Sequence, residues 1–285
     1  MFYTNDPYFQ VKPYEIPLRG LTSEVQLFHM SDLHLIVADE NSTPQWQEHA
    51  KKAKDAWQGV RLSFAKLYGD SCDEAHLIQP EDALPKYVEL VNEKRPDAML
   101  MTGDMLNDYS PETIAYLGDA LAKVEILWMW VRGNHELGND EAYRPYMKDG
   151  ALVQILEMGN LTLIGIDNSP KKVSAAQAQA VKDAAEQAAR DGKVPVLTMH
   201  IPIKTPCNEQ STSIFDPYFL LGSGDVDADS AAFLAYLQEE SCPIAAILCG
   251  HVHGHHVSEY VPGKMQICCS SSMVGACSLL RFIPA

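Results

Sequence analysis

Five times along the chain, a short and nearly continuous apolar run stops at a motif built from Asp, Asn, His or Gly. Ser31-Asp32-Leu33-His34 follows VQLFHM at 25–30, and Thr102-Gly103-Asp104 follows DAMLM at 97–101. Gly133-Asn134-His135-Glu136 follows EILWMWV at 125–131, one residue on; His200 follows VPVLTM at 194–199; Gly250-His251-Val252-His253 follows IAAILC at 244–249. Apolar runs without alternation are what strands covered on both faces require. LTLIGI at 161–166 and MQICCS at 265–270 have the same character. Apolar groups at helical spacing predict helices between these runs: over 48–68, over 84–94 up to Arg95-Pro96, from the Ser110-Pro111-Glu112 cap to about 124, over 174–191 and over 227–240. Strands alternating with helices predict an α/β domain. Sheets of that kind bind ligands at the carboxyl ends of their strands, so motifs spread from Ser31 to His253 can meet in one place.

Charge narrows what such a place can hold. The 285 residues carry 38 Asp and Glu against 22 Lys and Arg, a net charge of -16. Nucleic acid as a bulk partner is disfavoured, because polyanion binding draws on Lys and Arg neutralising phosphates. A small phosphate needs local positive charge, and with no dense basic run in the chain a bound metal is its natural source. The longest apolar stretches, such as 244–249 and 124–131, fall far short of the ~18 to 20 residues that span a bilayer, so no membrane partner is expected. MFYTNDPYFQ at the start has neither the basic nor the apolar region of a secretory signal, which sets the expectation of a cytoplasmic protein. Cysteines at 72, 207, 242, 249, 268, 269 and 277 form no CxxC pair and read as reduced thiols packed as small hydrophobes. No linker or internal repeat divides the chain, so residues 1–285 are read as a single domain. It carries a helical insertion at 37–80 and a substrate-side loop at 204–227, since long additions to compact domains tend to be lids or binding loops. Oligomeric state has no signature here.

The motifs supply carboxylate, imidazole and amide oxygen, and no thiolate. Asp32, His34, Asp104, Asn134, His200, His251 and His253 are the candidate ligands, of a kind that suits Mn, Fe, Zn, Co or Ni. In extended chain, Asp32 and His34 point to one side, as do His251 and His253. Asp104 has two oxygens and can bridge. Seven ligands are too many for one tetrahedral zinc and suit two divalent or mixed-valence ions sharing a carboxylate. Two such ions, about 3.5 to 4 Å apart, clamp the attacking and leaving oxygens of an in-line displacement, which is hydrolytic chemistry on phosphate esters.

The ordered set Asp32-x-His34, Gly103-Asp104, Gly133-Asn134-His135-Glu136, His200 and Gly250-His251-x-His253 resembles the calcineurin-like metallophosphoesterase family, over residues 30 to 255. The resemblance implies a sandwich of two mixed β-sheets flanked by helices and a small phosphate ester as substrate. It implies one metal held by Asp32, His34 and His253, a second by Asn134, His200 and His251, and Asp104 bridging both. A metal-bridging hydroxide would attack phosphorus directly. His135 would be the catalytic residue, stabilising the phosphoryl group or protonating the leaving alkoxide, with Asn134 also meeting the substrate. Within the family, purple acid phosphatases carry an iron-ligating Tyr three residues after the bridging Asp, where this chain has Asn107. Protein Ser/Thr phosphatases read GDxHG and GDxxDRG, where this chain has SDLHL and GDMLND. The opening SDLHL is closer to bacterial phosphodiesterases, although those commonly have Asp at the position of Glu136. The rival class is a fold-sharing scaffold protein that lost catalysis, and such proteins usually lose ligands that are all kept here.

Other residues have simpler readings. His29 reads as a satisfied core or edge histidine, and His49 and His76 as solvated side chains of the insertion. His255 falls on the side of His251 and His253 by alternation; it is either a contact for the substrate phosphate or an exposed loop histidine, and neighbouring His256 is as open. Trp128 and Trp130 read as core. The aromatics of SIFDPYFLL at 213–221 read as packing rather than as stacking on a substrate.

Overall fold

A computed structural model describes residues 9–67, 78–147, 152–205, 208 and 219–285 of the chain. His76, Cys72, Cys207 and most of 213–221 lie outside the described residues.

The expected buried runs form strands β2 (Val25–Met30), β3 (Ala98–Met101), β4 (Leu127–Trp130), β6 (Leu161–Gly165), β7 (Val194–Thr198), β8 (Ala246–Cys249) and β10 (Lys264–Cys268). Four further strands carry weaker signals: β1 (Gln10–Leu18), β5 (Gln154–Met158), β9 (His256–Val261) and β11 (Ala276–Pro284). β1 contains Pro13 and Pro17, which argue against a central strand, and it lies at a sheet edge, where a missing N–H is tolerated. β5 and β9 are edges as well, and polar residues dilute their apolar pattern.

The strands make two mixed sheets. One has the order β1-β11-β2-β3-β4, the other β5-β6-β7-β8-β10-β9. Pairs β2–β3, β3–β4, β6–β7, β7–β8 and β8–β10 are parallel, whereas β11–β2, β5–β6 and β10–β9 are antiparallel. The helices are α1 (Pro44–Leu67), α2 (Pro80–Lys94), α3 (Pro111–Leu121), the single turn α4 (Asp140–Tyr143), α5 (Ala175–Arg190) and α6 (Ala228–Gln238). The side-chain period of two divides each strand between two cores. Leu27, Leu100 and Met129 of the first sheet meet Leu163, Val196, Ala246 and Leu248 of the second. Phe28, Met30, Met99, Met101 and Trp130 face the other way, onto Leu84, Tyr87 and Val91 of α2 and Leu117 and Leu121 of α3. Ile164, Leu197 and Ile247 are covered by Val181 and Ala185 of α5 and Phe233 and Leu237 of α6. The result is two sheets packed face to face and flanked by helices, as the resemblance implies.

Local chemistry sets the helix ends. Ser110 caps α3 by accepting from Thr113 N–H, Ser174 caps α5 and Asp227 caps α6 in the same way. Arg95, at φ 48°, closes α2 before Pro96. Pro85 inside α2 lacks the N–H that would bond the Glu81 carbonyl, and the Tyr116 hydroxyl donates to that carbonyl instead, at 2.7 Å. Among the described residues, Cys242, Cys249, Cys268, Cys269 and Cys277 are free and buried, and no helix is long and apolar enough to cross a membrane.

Candidate metal centre

Because β2, β3 and β4 run parallel, as do β7 and β8, the motifs that follow them emerge on one side of their sheets. The extended geometry expected for the Asp-x-His and His-x-His motifs is not what the chain adopts. Asp32 (φ 53°), His34 (50°), Asp104 (49°), His251 (70°) and His253 (55°) all stand in the left-handed region. That region costs an L-residue about 1 to 2 kcal/mol, though Asp and His tolerate it better than most. The turns are held by cross-bonds between the motifs. Asp32 N–H donates to the Gly103 carbonyl and His34 N–H to the Asp104 carbonyl, both at 2.9 Å, and His251 N–H donates to Asp32 Oδ2 at 2.9 Å. Tight left-handed turns, rather than strand alternation, put the two side chains of each motif on the same site. Two glycines let the motifs close up: a Cβ on Gly133 would lie 2.2 Å from Asp104 Oδ1, and one on Gly250 would lie 1.8 Å from Ser31 Oγ.

Seven side chains converge in two groups. Donor atoms of Asp32, His34, Asp104 and His253 lie within 4.8 Å of one another, as do those of Asp104, His200 and His251. In the first group, His253 Nε2 is 3.1 Å from His34 Nε2 and 3.2 Å from Asp32 Oδ1. In the second, His200 Nε2 is 3.1 Å from Asn134 Oδ1, 3.1 Å from His251 Nδ1 and 3.2 Å from Asp104 Oδ2. Asp104 Oδ2 is also 4.0 Å from His34 Nε2, so one oxygen faces both groups. Donors at about 2.0 to 2.2 Å from one ion stand about 3 Å apart, and these spacings fit two ions. Imidazole nitrogens turned towards each other at 3.1 Å, beside buried carboxylates, are what a shared cation reconciles.

The protonation pattern suits that role. Burial, with the neighbouring His253, holds the His34 imidazole down at about 3; burial, with His200, does the same to His251, so both rings are neutral ligands. Burial alone would raise the Asp32 carboxyl, but the His253 and His200 imidazoles outweigh it and keep it at about 2. Burial likewise opposes ionisation of Asp104, and His200 beside it more than compensates. His200 behaves in the reverse sense: burial would lower it, but Asp104 raises it to about 10. Its Nδ1–H donates to the Thr102 carbonyl at 2.6 Å, which turns Nε2 into the site.

Three positioning residues carried little sequence signal. Glu136, fully buried, accepts three backbone N–H groups: Asp104 at 2.9 Å, Leu106 at 2.9 Å and Gly133 at 2.6 Å. Burial and the Asp104 charge push its carboxyl up to about 8. Asn168 Oδ1 accepts His200 N–H at 3.1 Å and Ile201 N–H at 3.0 Å, tying β6 to the end of β7. Asn107 accepts His135 Nδ1–H on its carbonyl and Trp57 Nε1–H on its side-chain oxygen, both at 2.7 Å. Glu136 and Asn107 stand out in the motifs only as departures from related patterns, and Asn168 lies in no motif.

The metal-ligand candidates border a cleft of about 310 Å³, lined by the polar Asp104, Asn134, His135, His251 and His253 and by the apolar Ala56, Trp57, Val60, Phe219 and Val252. His135 N–H donates to Asp104 Oδ1 at 2.8 Å. With Nδ1 committed to Asn107, its Nε2 is the ring nitrogen available to a ligand in the cleft. His255 is not among the lining residues; its ring stacks on Tyr14 at 3.9 Å. His29 is buried with Nε2 2.9 Å from Thr102 Oγ1, and exposed His49 pairs with Asp108 at 3.0 Å. Trp130 is fully buried, whereas Trp128 is half-buried. Phe219, read as packing, is 44% exposed with its edge to His251.

Residues 25–255 match the family model described as calcineurin-like phosphoesterase. No curated protein sequence matches the chain. Among solved structures, a dimetal phosphatase from Danio rerio superposes with a TM-score of 0.55 at 11% identity, covering 88% of this chain and 89% of that one. A purple acid phosphatase from yellow lupin (Lupinus luteus) seeds superposes with a TM-score of 0.51 at 13% identity, covering 94% of this chain and 47% of that one. At such identities the likeness is one of fold.

Proposed function

The chain belongs to the calcineurin-like phosphoesterase family, whose members are two-metal phosphoester hydrolases, and from that premise we propose that it hydrolyses small phosphate mono- or diesters. In this reading Asp32, His34, Asp104 and His253 hold one divalent ion, and Asp104, Asn134, His200 and His251 hold the other. The observation that carries it is Asp104 Oδ2, which faces both donor groups while Oδ1 is bonded to the His135 N–H. Mn, Fe, Zn, Co and Ni all accept such donors.

Two bound divalent ions supply positive charge to the phosphoryl oxygens and a water acidified enough to serve as nucleophile near neutral pH. The chain's own residues do the rest. His135 donates Nδ1–H to the Asn107 carbonyl, which fixes the ring and leaves Nε2 to bond a phosphoryl oxygen or to hand a proton to the leaving alkoxide. Asn134 borders the cleft beside it and meets the same phosphate. Glu136 and Asn168 hold the turns that carry Asp104 and His200, so the donors are oriented before any ion arrives. The additions at 37–80 and 204–227 act on the substrate side, a reading supported by Trp57 and Phe219 at the cleft. His255, stacked on Tyr14, is left out of the catalytic set. The five free buried thiols are consistent with a reducing, cytoplasmic setting.

Purified protein supplied with Mn²⁺ should release p-nitrophenol from p-nitrophenyl phosphate or its bis ester. The ratio of the two rates sets the monoester or diester preference. No turnover of either ester with any of the five metals would overturn the proposal.

A further inference from the structure

The cleft mixes two kinds of chemistry. Its lining joins the metal-ligand candidates and His135 to apolar side chains: Ala56, Trp57 and Val60 from α1, together with Phe219 and Val252. Val60 and Phe219 are among the few large hydrophobic side chains left exposed, at 38% and 44%. Apolar surface left open beside a site of buried charge is a binding surface more often than a packing accident. Trp57 is fixed rather than loose: its Nε1–H donates to Asn107 Oδ1 at 2.7 Å and its ring lies 4.4 Å from the His34 ring. It therefore presents a preformed apolar surface at small entropic cost.

What the cleft lacks is equally specific. Among the described residues, no lysine or arginine lines it. The arginines on the bordering segments are engaged elsewhere: Arg61 of α1 with the carbonyls of Met273 and Ile78, and Arg132 with Asp140 and Asp167. Two bound ions can receive one phosphoryl group, and among the described lining residues there is no lysine or arginine to receive a second anion. The chain's charge of -16 adds to the penalty. The volume of about 310 Å³ lies at the small end of ligand sites.

We propose that the cleft selects phosphate esters with a compact apolar organic group, such as an aryl group, and with no anionic group besides the reacting phosphate. This rests on the two-metal reading above and adds the substrate class, with Trp57, Val60 and Phe219 as its specificity determinants. Polyphosphates and phosphorylated acids are excluded by the same walls.

The test is direct binding of three phosphonates to the Mn²⁺-loaded full chain by calorimetry, alongside turnover of the p-nitrophenyl esters. Phenylphosphonate should bind at least about tenfold tighter than methylphosphonate, as burial of one ring face gives. 4-Phosphonobenzoate, of nearly the same shape but with a second anion, should lose that gain. Val60→Lys, an exposed helical position that accepts the change, should restore binding of 4-phosphonobenzoate by about tenfold, and Phe219→Ser should shrink the difference between phenyl and methyl. Equal binding of phenyl- and methylphosphonate, or 4-phosphonobenzoate binding as tightly as phenylphosphonate, overturns the inference. Turnover without this selectivity overturns the inference alone, whereas absence of turnover with every metal overturns the two-metal reading beneath it.

Discussion

The Glu136 carboxylate accepts the backbone N–H of Asp104 at 2.9 Å and, with the same oxygen, that of Gly133 at 2.6 Å. The turn that aims Asp104 at both donor groups is thus tied from beneath to the turn that carries Asn134. All three of Glu136's partners are donors, so in the metal-loaded protein, where two cations favour its ionised form, an amide in its place would set an NH₂ against an N–H. Glu136→Gln should weaken metal binding about 10- to 100-fold, whereas Glu136→Asp should recover most of it. Metal affinity by competition with a chromophoric chelator reads this out; wild-type affinity in the Gln variant would remove Glu136 from the positioning role.

His135→Ala should keep its metal and lose rate, by about 10² to 10⁴ in kcat if the ring is the general acid. The loss should be greater for alkyl than for p-nitrophenyl leaving groups, because nitrophenolate departs without a proton. An equal loss for both would assign His135 to binding the phosphoryl oxygens instead.

Removing the shared carboxylate should differ from removing an unshared one. Asp104→Ala should bring the metal content below one ion per chain, and Asp32→Ala should leave about one, against about two in the parent. Elemental analysis of the dialysed proteins decides, and equal losses in the two variants would contradict a bridging Asp104.

The metal-free centre carries a proton that an incoming ion must displace. His200, raised to about 10 by Asp104, stays protonated through neutral pH and loses its proton only as pH climbs through that value. His34 and His251, held at about 3, are already neutral. Metal affinity should therefore rise about tenfold per pH unit across pH 6.5 to 8.5, with at least one proton released per chain on loading. Indicator titration in weak buffer measures it, and loading without proton release would contradict the assignment.

Much of the site was legible because its chemistry is dense in the sequence. Strands buried on both faces read as unbroken apolar runs, and the parallel arrangement makes their ends a common location, so Asp32, His34, Asp104, Asn134, His200, His251 and His253 could be grouped without coordinates. The reason they converge was not legible. Period-two alternation explains the same grouping equally well, and only backbone angles show that left-handed turns do it. Edge strands were missed because solvent on one side dilutes their pattern, as in proline-bearing β1. Ala56, Trp57 and Val60 share a helix face at spacings that also describe core packing. That the face meets a cleft depends on how α1 folds back over the motifs, which the spacing does not encode.

A metal titration tests the two-ion centre most directly. Protein stripped with a chelator and returned to activity by stepwise Mn²⁺ should show no hydrolysis of p-nitrophenyl phosphate or its bis ester at zero metal, and a rate that saturates at about two equivalents per chain. Saturation at one equivalent, or a rate indifferent to metal, would contradict a two-ion centre built on Asp104.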